Sequence, residues 1–118
     1  MNQSTLNKKR QEHQLALADS LQRVRAALAE RPDVKRAILF GSYQEGRRDL
    51  FTDLDILIVV ESDLDFLSRT ARMYQYLPTS VDMDLLVYTS EELERIRDRP
   101  FVRRILEQGE IIYEKQPS

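Results

Sequence analysis

Asp53 and Asp55 stand two apart in "FTDLDILIVV", residues 51–60, where a polar stretch gives way to an apolar run. On a strand, residues two apart point the same way with roots roughly 6–7 Å apart, so the two carboxylates converge. Anions held that close repel, and each raises the other's pKa unless a cation lies between them. Hard carboxylate oxygens suit Mg²⁺, or Mn²⁺ in its place, with waters and substrate phosphates as the other ligands. Two such ions about 3.5–4 Å apart can clamp the attacking and leaving oxygens of a phosphoryl or nucleotidyl transfer. From Asp49 to Asp65 inclusive there are six acidic residues and no basic one, so nothing within that stretch neutralises the pair. The plainer alternative is a solvated strand start whose charges discourage edge pairing. The D-x-D spacing alone does not separate the two.

A further apolar run, "VDMDLLVYT" at 81–89, carries Asp82 and Asp84, again on one face of a strand. A neighbouring strand would bring one of them to the metal pair, to bind the second ion and take the proton from an attacking hydroxyl. Asp84 is favoured because it directly precedes "LLV", which would hold it rigidly. Asp82 is the fallback. Upstream, "AILFGSYQEG" ends an apolar run at Gly41-Ser42. Gly41 lets a triphosphate approach the backbone closely. Ser42 offers a hydroxyl and a backbone N–H at the start of a short helix, where anions are favoured. Tyr43 follows in the loop, where its ring would sit beside a nucleotide. A serine-capped strand-to-helix turn is the ordinary alternative. The spacing of Gly41 and Gly46 imitates the first half of a P-loop. That motif then needs Lys and Ser or Thr, where this chain has Arg47 and Arg48.

The elements that must position these groups are legible from periodicity and punctuation. Leu15, Leu17, Ala18, Leu21, Val24, Ala27 and Leu28 predict an amphipathic helix over about 11–31, ended by Pro32. It is expected to pack on its own domain, with the lone His13 on its polar, surface side. Strands are predicted at 34–40 and 53–60, the latter buried on both faces. A helix over 62–77 would start at a Ser62 cap, and a third strand covers 81–89. Thr89 and Glu92 have capping-box spacing for the next helix. Pro100 suits the first turn of another helix ending at Gly109, and 110–113 is a short last strand. Alternating helices and strands predict an α/β (α+β) fold, a sheet covered by helices.

With 118 residues the chain is expected to be a single domain, its core spanning about 34–113. A formal charge of −2 gives no general attraction to nucleic acid or anionic membrane. The absence of cysteine excludes disulfides, thiolate metal sites and cysteine nucleophiles. No signal-peptide pattern or run long enough to cross a bilayer is present, so a soluble cytoplasmic protein is expected. The five arginines of "RIRDRPFVRR" are read as a solvated helix face interleaved with Glu94 and Asp98. The tyrosines are read as core or rim aromatics.

Gly41-Ser42, ten residues, then Asp53-Leu54-Asp55 resembles the G-S-x10-D-x-D signature of the minimal nucleotidyltransferases, a family within the DNA polymerase β-like nucleotidyltransferase superfamily. "VDMDLLVYTSEEL" resembles that family's third-carboxylate strand, and "RRILEQGEIIYE" its C-terminal ending. The likeness runs over about 35–115. It implies a mixed, twisted sheet of about four strands flanked by helices. It also implies a magnesium-bound nucleotide, usually ATP, and transfer of a nucleoside monophosphate to a hydroxyl. Asp53, Asp55 and Asp84 match the catalytic metal ligands; Gly41 and Ser42 match the phosphate-binding pair. Many members are antitoxins of HEPN-domain RNase toxins, and some silence the toxin by adding AMP to a tyrosine. Family loops often read Gly-Ser-Arg-x-Arg-Gly; Tyr43 and Glu45 replace those arginines here, so contacts made by them do not carry over. With no room for an acceptor domain, the acceptor is expected on a protein partner or a second subunit. A non-enzymatic antitoxin that blocks its partner by binding is the alternative.

Overall fold

A computed structural model describes residues 2–117. Helix α1 (Gln3–Ala29) begins well before residue 11, where the apolar spacing becomes regular. Asn2 accepts the Thr5 N–H at 2.9 Å, and the Lys, Arg, Gln and Glu residues that follow favour helix without an apolar face. Its buried face is narrow, made of Leu17, Ser20, Val24 and Leu28.

The sheet contains β1 (Val34–Phe40), β2 (Leu54–Val60), β3 (Met83–Thr89) and β4 (Glu110–Glu114), in the order β3-β2-β1-β4. β1 runs antiparallel to both neighbours, β2 and β4. β2 and β3 are parallel, so the chain must cross over between them, which it does through α3 (Phe66–Tyr76). The sheet is thus mixed, with helices on both faces. Ile56, Ile58 and Val60 face one core with Leu17, Val24, Leu28, Met73 and Val87. Leu57 and Val59 face the other, with Ile38, Leu93, Val102 and Ile105 from β1, α4 (Ser90–Ile96) and α5 (Pro100–Gln108). That two-sided burial is why β2 is apolar at consecutive positions rather than at alternate ones.

Local chemistry sets the remaining boundaries. Thr89 and Glu92 form a reciprocal capping box at the start of α4, and Pro100 occupies the first turn of α5. α3 starts at Phe66, not at 62. Asp65 is its cap, accepting the Ser68 N–H at 2.8 Å, while Ser62 spends its hydroxyl on the Leu64 N–H in the preceding turn. Gly109 ends α5 in extended backbone rather than a left-handed turn. Its value there is smallness, since a Cβ would crowd Ile38 and the Ile105 carbonyl. No described helix is long and apolar enough to cross a membrane.

Candidate active site

The antiparallel register sets Phe40, the last residue of β1, opposite Asp55. Gly41 therefore turns directly over that carboxylate and begins α2 (Gly41–Gln44). Its φ of 78° is the left-handed conformation that glycine tolerates, and any Cβ there would collide with the Asp55 side chain. Both backbone freedom and close approach thus require glycine at this position.

The parallel register sets Asp55 beside Asp84. Asp53, one residue before β2, completes a group in which one ligand oxygen from each side chain lies within 4.8 Å of the others. Asp82 contributes its backbone instead, accepting the Leu54 N–H at 3.1 Å, and its carboxylate is outside the group. Asp53 and Asp55 are half-buried and Asp84 is exposed. Burial, then the charges of Asp53 and Asp84, push the Asp55 carboxyl up from 3.8 to about 6, against the opposing pull of the Ser42 backbone N–H. None of the ion pairs among the described residues uses any of the three aspartates. Three converging carboxylates with no cationic side chain paired to them fit a divalent cation.

The loop that delivers Asp53 is braced from several sides. Asp49 accepts the Phe51 N–H at 2.8 Å and pairs with Arg47 at 2.6 Å. Arg47 also lies within electrostatic reach of Asp53. The Arg48 guanidinium covers the Tyr43 ring at 3.7 Å and donates to the Tyr43 and Arg47 carbonyls, both at 2.7 Å. Tyr43 itself packs against the core. His13 is not a free surface residue: its Nε2 lies 2.7 Å from the carbonyl oxygen of buried Thr52, next to Asp53. An acceptor-only carbonyl requires Nε2 to carry the proton. Periodicity showed His13 off the apolar stripe but could not show the loop that folds back onto it.

Beside Gly41 and Asp55 opens a cleft of about 380 Å³, walled by Phe40, Phe101 and Ile105 with Gln44, Glu45 and Arg104 at its polar side. Phe101 meets Phe40 edge to face at 5.9 Å and keeps 60% of its surface exposed. Arg104 reaches Glu45 at 3.2 Å, tying α5 to the glycine loop. Arg97, the residue that caps the end of α4, pairs with Glu94, and Arg103 pairs with Glu107 within α5, as a solvated face would. Sequence reasoning missed the wall formed by α5. The "PFVRR" pattern carries no sign that its first turn faces the end of β1.

The polymerase beta nucleotidyltransferase family model matches residues 22–118, and the chain belongs to this nucleotidyltransferase family. A protein of Methanocaldococcus jannaschii, provisionally named a protein adenylyltransferase, is 33% identical over 82 residues, covering 68% of this chain and 79% of the relative. Among solved structures, a nucleotidyltransferase from Sulfolobus solfataricus, itself named provisionally, superposes with a TM-score of 0.60 at 16% identity. That match covers 91% of this chain and 88% of the other. A chain of a toxin–antitoxin complex crystallised with AMP-PNP gives a TM-score of 0.53 at 22% identity, over 81% and 74% of the two chains. At such identities the two structures speak to the fold alone: a mixed four-stranded sheet flanked by helices.

Proposed function

We propose that this chain transfers AMP from ATP to a hydroxyl group of a protein partner, and that the partner is a HEPN-type RNase toxin silenced by the modification. The observation that supports this most is the meeting of Asp53, Asp55 and Asp84 directly beneath the Gly41 turn. Support for a protein acceptor comes from the relative named a protein adenylyltransferase. The toxin–antitoxin setting rests on the resemblance of the signature and on the fold shared with such a complex. A cysteine-free chain fits work in the reducing cytoplasm.

Asp53 and Asp55 would hold Mg²⁺, with Asp84 as the third ligand. A metal held there would supply charge neutralisation on the phosphates. The protein's own part is placement. Gly41, Ser42 and Tyr43 shape the turn against which the triphosphate lies, with close backbone approach at Gly41 and an N–H and hydroxyl at Ser42. The apolar cleft with Phe101 at its edge receives the less polar part of the nucleotide. The Asp84 carboxylate, exposed at the edge of the group, takes the proton of the acceptor hydroxyl as that oxygen attacks the α-phosphate. The new P–O bond forms as the bond to pyrophosphate breaks.

Incubation with α-labelled ATP, Mg²⁺ and the cognate partner is expected to label the partner, and the Asp53→Asn/Asp55→Asn variant to abolish labelling. Labelling of a small alcohol in place of the partner refutes the protein acceptor. Undiminished neutralisation of the partner by the double variant at equal dose establishes binding alone as the mechanism.

A further inference from the structure

The acidic group occupies the amino ends of β2 and β3, which leaves the opposite end of this parallel pair without a role. In open sheets, ligands collect in the crevice outside the carboxyl ends of parallel strands. Here that place is a cavity of about 240 Å³ bordered by Val60 of β2 and Ser62 just beyond it. Arg31, Arg69 and Arg72 line it, with Asp33 as the one carboxylate in the lining.

The three guanidiniums are not equally committed. Arg31 spends its fork on Asp33, through Nε at 2.9 Å and Nη2 at 2.7 Å. Arg69 is only 5% exposed and donates from Nη2 to the Glu92 carboxylate at 2.6 Å. Its Nε is buried and has no partner among the described residues. Arg72, about one turn further along α3, makes no ion pair among the described residues. Leaving a buried donor unpaired costs about 1–3 kcal/mol, so the Arg69 head is not fully committed to Glu92. A guanidinium edge with free N–H groups matches the oxygens of a phosphate.

We propose that this cavity is a second ligand site, one that binds a phosphate group through Arg69 and Arg72. Its volume lies below the roughly 300–1,000 Å³ of sites for drug-sized ligands, which suits free phosphate or a small phosphomonoester rather than a whole nucleotide. The site is independent of the acidic group and of the transfer reaction.

The test is an amide NMR titration of the full chain with inorganic phosphate, and separately with glycerol 3-phosphate, in chelator so that no metal recruits phosphate to the aspartates. Sodium chloride at matched ionic strength is the control. Saturable shifts centred on the cavity lining, residues 31–33 and 60–73, with Ser42 and Asp55 unmoved, are expected. Arg72→Ala, a change at an exposed helix position, is expected to weaken binding about tenfold, a loss in the range of one charge-assisted contact. Saturation by inorganic phosphate identifies the free ion as sufficient; saturation by glycerol 3-phosphate alone identifies a phosphomonoester. No saturable shift with either, equal shifts with chloride, or unchanged affinity in Arg72→Ala overturns the proposal.

Discussion

Replacing Asp55 with asparagine is predicted to make the metal-free protein more stable while abolishing its chemistry. The carboxyl is raised from 3.8 to about 6 in the folded chain by burial and by two neighbouring carboxylates. The folded state therefore holds this proton more tightly than the unfolded state does. Below pH 3.8 both states are protonated and there is no cost. Between 3.8 and about 6, stability falls as pH rises, and above that the full cost persists. A shift of about two pKa units corresponds to about 3 kcal/mol, and solvent screening at this half-buried position reduces it to about 1.5 kcal/mol. Asparagine keeps an oxygen for the Ser42 N–H and removes the charge. For a domain of this size the gain is about 5 °C in Tm. Thermal unfolding of both proteins followed by circular dichroism, in chelator from pH 3.5 to 8, reads it directly. The Tm difference should be small at pH 3.5, grow through pH 6 and then level off. Mg²⁺ should stabilise the wild type only, narrowing the gap. A variant less stable than wild type at pH 7 in chelator, or a difference independent of pH, refutes the electrostatic argument.

Gly41→Ala meets both a left-handed backbone and the Asp55 side chain. It is expected to lose at least about 1–2 kcal/mol in denaturant unfolding and to lose nucleotide binding; wild-type behaviour in both contradicts the close approach. Asp84→Asn is exposed enough to fold normally and is expected to slow labelling of the partner by about 10²–10⁴-fold, measured as initial rates with saturating ATP. A loss under about threefold removes Asp84 from proton transfer. His13→Ala deletes the bond to the Thr52 carbonyl, so amide exchange in the 48–52 loop should quicken by an amount matching about 1 kcal/mol while β1 is unaffected. Unchanged exchange at Thr52 shows that the bond does not brace the loop.

Much of the fold was legible because burial is strongly patterned here. The apolar positions of β2 announced a strand covered on both faces, and Thr89 with Glu92 announced the start of α4. What escaped lacked a local signal. Residues 3–10 are helical through a cap and favourable side chains, without the apolar spacing that marks a packed helix. Ser62 and Asp65 are both competent caps, and only the turn they share decides which one serves. The aspartates were conspicuous because charge at the mouth of an apolar strand is unusual. The choice between Asp82 and Asp84 nevertheless depends on a parallel register that places Asp84 beside Asp55. Phe101, Arg104 and His13 reach the site only through tertiary contacts between distant segments.

The proposed transfer requires the three aspartates to share divalent metal in front of a bound nucleotide. A crystal structure with Mn²⁺ and a non-hydrolysable ATP analogue, with the metal located by its anomalous signal, tests this most directly. The predicted result is manganese bonded to oxygens of Asp53, Asp55 and Asp84 and to the nucleotide's phosphates, at about 2.0–2.3 Å. A nucleotide bound elsewhere, or carboxylates turned away from one another with no metal among them, contradicts it.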